Sequence, residues 1–443
     1  MPLPIIAQGV EGGISSIPYA IPILKTIPWL VALVLLKIYF GGARNTSERL
    51  MHSKVVMVTG GTSGIGAQVV QELATRGAQI ILLTRQPPSD PFLVDYIEDL
   101  RSSTNNELIY AEQVDLSSLL SIRAFATKWV DNAPPRRLDM IILCAGVMTP
   151  SRVKKLPTID GLDEEWQVNY LANYHLLSIL SPALRAQPGD RDVRIIISTC
   201  SSYIGATLNR NDTVPDPDQQ EQKQKPKPTP QLPQVEQRQS SMYATSKLSL
   251  MIFAQSFQKH LDTYKRPDKQ PNNARVLLVD PGFCRTPGTR RWLTGGSLWG
   301  LLAYLLTWPF WWLILKSPQQ GAQNFLLAAM EAALGAVGGR VATSMSSGAT
   351  DAKEVGTAVG DVILLKECKE RKFLRREVTD DRAGKELWEF SQTQIEAVET
   401  EAAIRRTREK KEKEEVEKSE KEAAKKQGGK TRTPGSRRDR KGK

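Results

Sequence analysis

Between residues 54 and 279 short apolar runs, rich in β-branched side chains, alternate with longer stretches whose apolar positions recur at helical spacing. The runs Lys54–Thr59, Gln79–Thr84, Leu108–Val114, Asp139–Ala145, Val193–Thr199 and Ala274–Val279 read as strands, and intervals such as Gly64–Arg76 and Asp163–Leu184 as helices. The strand runs are apolar throughout rather than at every second position, so both of their faces must be covered. Strands joined through helices then predict a doubly wound parallel sheet, an α/β fold of the Rossmann type, over residues 51–400.

Three segments break the pattern. From Ile14 to Phe40 the chain is mostly apolar, interrupted by Lys25, Lys37, Pro18, Pro22 and Pro28. The window Tyr19–Phe40 approaches the roughly 20 residues that span a bilayer. Residues 1–50 are therefore expected to form a membrane anchor or a proline-bent hairpin, with Lys37, Arg44 and Arg49 towards the cytosol; a buried amphipathic extension is the alternative. Residues 209–241 lack the apolar side chains that would offset chain ordering and are expected to be a disordered insertion. Trp292–Leu315 is the reverse, 24 residues without a charge, lying between Arg290-Arg291 and Lys316. Apolar on every face and rich in tryptophan, it predicts a membrane-facing interfacial segment that Pro309 bends into a shallow hairpin. A substrate-pocket lid and an oligomer contact are the other readings.

Charge changes the picture only at the C-terminus. Of the net +12, residues 405–443 hold +9 (17 Lys and Arg against 8 Asp and Glu), leaving +3 for the other 404 residues. Basicity thus belongs to a tail, residues 401–443, and a nucleic-acid partner is not expected. Glu409–Lys413, Glu414–Lys418 and Glu422–Lys426 support a solvated helix there, and upstream Leu387, Phe390, Ile395 and Val398 share a stripe. The four cysteines (Cys144, Cys200, Cys284, Cys368) form no CxxC pair, and His52, His175 and His260 have no ligand spacing, so neither a metal site nor a disulfide framework is expected.

The chemistry-bearing motifs fall at strand ends. Thr59-Gly60-Gly61-Thr62-Ser63-Gly64-Ile65-Gly66 follows the first strand and opens a helix. Gly60 permits a tight turn, Gly64 and Gly66 let the backbone approach a pyrophosphate, and the helix N-terminus favours the anion. The second strand ends Leu83-Thr84-Arg85, where an acid would hold the ribose of NAD; Arg85 suits a 2′-phosphate and points to NADP rather than NAD, although a surface arginine would look the same. Asp115-Leu116, after the third strand, is placed to approach the adenine or to cap the next helix. Tyr243-Ala-Thr-Ser-Lys247 puts a phenol and an ammonium on one helix face. An adjacent ammonium is expected to lower the phenol pKa, so that Tyr243 exchanges a proton with a carbonyl or alcohol.

In this order the motifs resemble the short-chain dehydrogenase/reductase family, in its retinol-dehydrogenase-like branch, over about Lys54 to Val337. The resemblance implies a catalytic set of Asn169 (supporting a proton-relay water), Ser202 (binding the substrate oxygen, with Ser201 the lesser candidate), Tyr243 and Lys247. It implies cofactor contacts from Thr59, Gly60, Ser63, Gly64, Ile65, Gly66, Arg85, Asp115, Leu116, Ala145, Gly146, Tyr243, Lys247, Pro281, Gly282 and Thr286. Two departures stand out: Cys144-Ala145-Gly146 replaces the family's Asn-Ala-Gly, and 41 residues separate Ser202 from Tyr243. His175 reads as structural. The apolar N-terminus and the Trp-rich segment are similar to fungal members of the branch found on lipid droplets and linked to vacuole morphology. The expectation is an NADP-dependent oxidoreductase of lipophilic carbonyls and alcohols (retinoid, sterol or long-chain aldehyde). It would sit at a membrane, lipid droplet or endoplasmic reticulum and face the cytosol, with a homodimer left open. The rival reading is a Rossmann-fold scaffold that organises such membranes.

Overall fold

All six expected runs are strands in the computed structural model, which describes residues 20–150, 153, 155–206, 241–269, 272–335 and 362–428 (backbone alone at 20–24, 409–410 and 412–428). They are β1 (Val55–Thr59), β2 (Gln79–Thr84), β3 (Ile109–Gln113), β4 (Met140–Leu143), β5 (Val193–Ser198) and β6 (Ala274–Asp280), joined by two unexpected strands, β7 (Ile363–Lys366) and β8 (Lys369–Arg371). The sheet order is β3-β2-β1-β4-β5-β6-β7-β8. Neighbours are parallel as far as β7, and β8 returns antiparallel at the edge. The order reverses between β1 and β4, which opens a crevice at their carboxyl ends.

The helices are α1 (Ala20–Gly41), α2 (Gly64–Thr75), α3 (Pro91–Thr104), α4 (Leu119–Val130), α5 (Ala172–Arg185), α6 (Met242–Thr263), α7 (Pro287–Thr294), α8 (Leu298–Leu306), α9 (Trp308–Ile314), α10 (Pro318–Met330) and α11 (Asp381–Gly428). Strand side chains supply both layers. Val56, Val58, Ile80, Leu82, Ile142, Ile196 and Leu277 pack with Val69, Val70 and Leu73 of α2, Leu93 and Ile97 of α3 and Phe325 and Ala329 of α10. The alternate residues Met57, Ile81, Ile141, Ile195 and Val276 are equally buried, beneath α4, α5 and α6. Each such side chain contributes about 1.5–3 kcal/mol, and this explains why unbroken apolar runs were needed. Arg194, on β5, is fully buried yet paired with Asp192 at 2.6 Å, and it donates to Ala328 O at 2.7 Å.

The N-terminal helix corrects one expectation. α1 runs unbroken through Pro28, so no proline-bent hairpin forms over Ala20–Gly41. Among the described residues no helix is long and apolar enough to cross a membrane; residues 1–19 lie outside them. Trp29, Leu30, Leu35, Ile38 and Tyr39 are exposed. Lys37 turns to the end of α9: its Nζ donates to Trp312 O at 2.5 Å and lies 4.9 Å from the Trp312 ring centroid. A cation suits a helix C-terminus, where carbonyls lack partners. The following arm is tied down through Ala43 N to Glu367 Oε2 just after β7 (3.1 Å), Asn45 N to Gln323 Oε1 of α10 (3.0 Å) and Arg49 to Asp192 just before β5 (2.8 Å).

The apolar segment 292–315 forms the end of α7, α8 and α9. Pro309 stands in the first turn of α9, where its missing N–H costs nothing, and the break falls at Thr307. Its base is closed by a bridge between Cys284 and Lys316, with Arg285 N donating to Lys316 O (2.8 Å) and Lys316 N to Phe283 O (3.1 Å).

The chain divides into two units, Met1–Ser391 and Gln392–Lys443. In the first, the opening turns of α11 cover an aromatic face. Trp388 lies 5.3 Å from Tyr174 and 5.7 Å from Phe253, and Ser391 Oγ is 2.6 Å from Tyr170 Oη. The second continues α11 to Gly428. The ion pairs expected along the tail fall where the backbone alone is described, and the insertion 209–241 lies, Ser241 apart, outside the described residues.

Candidate active site

The glycine-rich turn occupies the crevice at the strand reversal. Gly60 has φ +67°, and a Cβ there would lie 2.8 Å from the Ala145 backbone, so the ends of β1 and β4 touch. A Cβ on Gly66 would lie 2.2 Å from Gly60 O. α2 therefore starts directly against the turn, and the Ser63 side chain makes no capping bond to it. This is a bare backbone cradle at a helix N-terminus, which fits a pyrophosphate. Gly64 (φ +59°) faces Thr286, whose Cγ2 would be 3.4 Å from an added Cβ, so the Pro281-Gly282…Thr286 element folds over the same cradle. Thr59 is buried, and its Oγ1 accepts from Ala145 N at 3.3 Å. Ile65 packs near Gly321 of α10.

Arg85 is exposed one residue beyond β2. Asp115 makes an Asx turn, accepting from Ser117 N (2.9 Å) and Ser117 Oγ (2.7 Å), while Ser118 caps α4. The capping alternative for Asp115 is thereby corrected; Leu116 is half-buried beside it.

At the other end of the crevice Asn169 sits in a π-helical turn, Gln167–Leu171, that precedes α5. Such bulges redirect side chains at functional sites. Here Asn169 clamps the loop after β4, accepting from Val147 N and donating to Val147 O, both at 2.8 Å. A Cβ on Gly146 would lie 3.3 Å from Asn169 Oδ1 and 3.6 Å from Lys247 Nζ, so the loop after β4 meets both side chains. Lys247 is buried; its Nζ donates to Ser198 O at 3.1 Å and lies 5.8 Å from the Tyr243 ring centroid. Burial lowers its pKa, against the raising effect of Cys200 and Cys144.

Tyr243 departs from expectation. Its pKa is raised, not lowered: burial is the main cause, and the carboxylates of Glu165 and Asp280 add to it. An isolated Tyr–Lys pair suggests the reverse because burial cannot be read from a four-residue spacing. Cys200, which sequence reasoning did not single out, donates to Tyr243 Oη at 3.6 Å and shares a 2.8 Å hydrogen bond with Ser202 Oγ. Ser201 points elsewhere, donating to Asp280 Oδ2 and accepting from Lys366 Nζ, both at 2.6 Å. Asp280 also accepts from Gly282 N at 2.9 Å and pairs with Lys366 at 3.1 Å, which steadies the Pro-Gly turn. The adjacent serines Ser201-Ser202 at the strand exit, with an acid before Pro281-Gly282, are the signal that could have revealed this second cluster. His175 is buried, and burial, with Arg123 secondary, lowers its pKa to about 4, in keeping with a structural role.

The structure thus gathers a phosphate cradle, a proton-bearing phenol, a buried ammonium and a serine hydroxyl in one crevice. A nicotinamide cofactor held there would supply hydride, and the family resemblance would assign the oxygen of the reacting group to Tyr243 and Ser202. Comparisons agree. Residues 54–208 match the short chain dehydrogenase family. The uncharacterized oxidoreductase pbr1 of Schizosaccharomyces pombe is 39% identical over 90% of this chain and 96% of its own. Retinol dehydrogenase 13 of Mus musculus is 31% identical over 69% of this chain and 80% of its own. Polyprenol dehydrogenase of Mus musculus is 28% identical over 69% and 78%. Shared along nearly its whole length, and with the crevice built as described, the likeness means that this chain belongs to the short-chain dehydrogenase family and is an NAD(P)-dependent oxidoreductase.

Proposed function

We propose that the protein is an NADPH-dependent reductase of lipophilic aldehydes or ketones, reversible to alcohol oxidation, working at a membrane or lipid-droplet surface with its catalytic crevice towards the cytosol. The observation that carries this reading is where the apolar segment stands. It leaves at Thr286, over the phosphate cradle, and returns at Lys316, pinned beside Cys284. Between these points Leu298 (85%), Trp299 (81%) and Leu306 (76%) are left exposed. An apolar surface of this kind next to a crevice fits a lipid phase that delivers the substrate. α1 adds its own exposed apolar side chains and is joined to α9 through Lys37. Relatives named for retinol and polyprenol, both lipid alcohols, support the substrate class. A phenol held protonated by burial suits giving a proton to a carbonyl oxygen.

The test is oxidation of NADPH and NADH by the full chain, with and without phospholipid vesicles, over a series of aldehydes of rising chain length. Turnover that rises with chain length and with vesicles is expected. Turnover confined to short water-soluble carbonyls would end the lipophilic reading, and no cofactor binding at all would favour the scaffold. Replacing Trp299 and Leu306 by Glu is expected to abolish co-flotation with the vesicles without changing the thermal melt; unchanged flotation would remove the surface from consideration.

Cofactor choice has its own prediction. Arg85→Asp is expected to weaken NADPH binding about 10- to 100-fold, the worth of a charge-assisted hydrogen bond to a 2′-phosphate, and to leave NADH binding nearly unchanged. Equal loss for both cofactors in fluorescence titrations would reject the phosphate contact.

A further inference from the structure

A carbonyl oxygen that is hydrogen-bonded by Ser202 and protonated by Tyr243 must lie within bonding distance of both hydroxyls. Among the described residues the Cys200 thiol sulfur meets that description. Cys200 Sγ lies 2.8 Å from Ser202 Oγ and 3.6 Å from Tyr243 Oη. The backbone explains how it comes to be there. Thr199 N still pairs with Val279 O, Cys200 continues in extended geometry (φ −158°, ψ 159°), and the short helical turn Ser201–Gly205 then brings Ser202 back beside it. Ser201 is held away by Asp280 and Lys366. The Cys200 main chain is thus fixed by its neighbours, while its side chain has one rotatable bond.

We propose that the Cys200 thiol is a positioning residue that holds the place of the substrate oxygen, keeping the hydroxyls of Ser202 and Tyr243 converged on one point and turning aside when a carbonyl enters. This rests on the assignment of Ser202 and Tyr243 to the substrate oxygen under the proposed function. One consequence follows from the geometry: each carbonyl that binds must displace a thiol hydrogen bond, so the thiol raises KM.

The experiment compares the full-length wild type with Cys200→Ala and Cys200→Ser. It measures KM and kcat of carbonyl reduction, and separately the Kd of an unreactive carbonyl, a long-chain primary amide, in the presence of NADPH. Cys200→Ala is expected to lower KM and the amide Kd by about 2- to 10-fold, the worth of one hydrogen bond, with kcat changing less. Cys200→Ser, which can still bridge the two hydroxyls, is expected to move both readouts back towards wild type. Tyr243-dependent turnover with KM and amide Kd both unchanged in Cys200→Ala would overturn the role of the thiol and leave the enzymatic assignment standing. Tighter amide binding in Cys200→Ala with no turnover of any carbonyl would support the oxygen place and overturn the assigned reaction. An amide that binds neither protein would overturn the oxygen place itself.

Discussion

Tyr243→Phe is expected to lower turnover by about two to four orders of magnitude, the usual worth of a positioned acid–base group, while NADPH binding stays nearly unchanged. The substitution keeps the ring that Lys247 overlies and removes only the hydroxyl that meets Cys200. Nothing in the cradle around Gly60, Gly64 and Gly66 depends on that hydroxyl, so the loss should fall on kcat rather than on cofactor Kd. The pH dependence has a definite sign. Burial, with the carboxylates of Glu165 and Asp280, raises the Tyr243 pKa above its ordinary 10.0. The protonated phenol, which is the donor in carbonyl reduction, therefore persists through the range in which an ordinary tyrosine ionises. Reduction should hold from neutral pH into alkali, and alcohol oxidation, which needs the phenolate as acceptor, should rise with pH. Rates in both directions, measured for wild type and Tyr243→Phe, check this. A mutant within tenfold of wild type, or a reduction limb at the ordinary tyrosine value, would take Tyr243 out of the chemistry.

What the sequence disclosed follows from which forces are local. β1 to β6 were legible because a strand buried on both faces must be apolar at every position, and Val55–Thr59 or Ile195–Ile197 can satisfy that only as core. Gly60 and Gly66 were legible because their close backbone contacts admit no other residue. β7 was not: Ile363–Lys366 is four residues long, and its partner Leu277–Asp280 lies more than eighty positions upstream, so no local pattern marks it. Lys366 and its ties to Asp280 and Ser201 were hidden with it. The raised pKa of Tyr243 and the position of Cys200 were also invisible, since both depend on how the turn after β5 packs against α6. The break expected at Pro309 is present but falls at Thr307, because proline is tolerated in the first turn of the helix that follows.

Gly66→Ala should have the second largest effect. The added methyl carbon would lie 2.2 Å from Gly60 O, 2.9 Å from Gly60 C and 3.3 Å from Gly61 Cα. All three are backbone atoms, so no side chain can swing aside. The turn cannot retreat either, because Gly60 is itself pressed against the Ala145 backbone and holds φ +67°. The strain must move α2 away from β1 and open the cradle at the point where helix amides meet the pyrophosphate. Overpacking of this kind costs about 1–3 kcal/mol, which corresponds to NADPH binding weaker by about 10- to 100-fold if most of it falls on the bound geometry, together with a lower melting temperature. Gly205→Ala supplies the contrast: nothing lies within 4 Å of its added carbon, so melting and NADPH affinity should match wild type. Gly64→Ala falls between, with open space as far as Thr286 but a left-handed φ of +59° that costs an L-residue about 1–2 kcal/mol. Thermal melts with and without NADPH, run on the three variants together, check the order. If Gly66→Ala bound NADPH as tightly as Gly205→Ala, the turn between β1 and α2 would not be the phosphate seat.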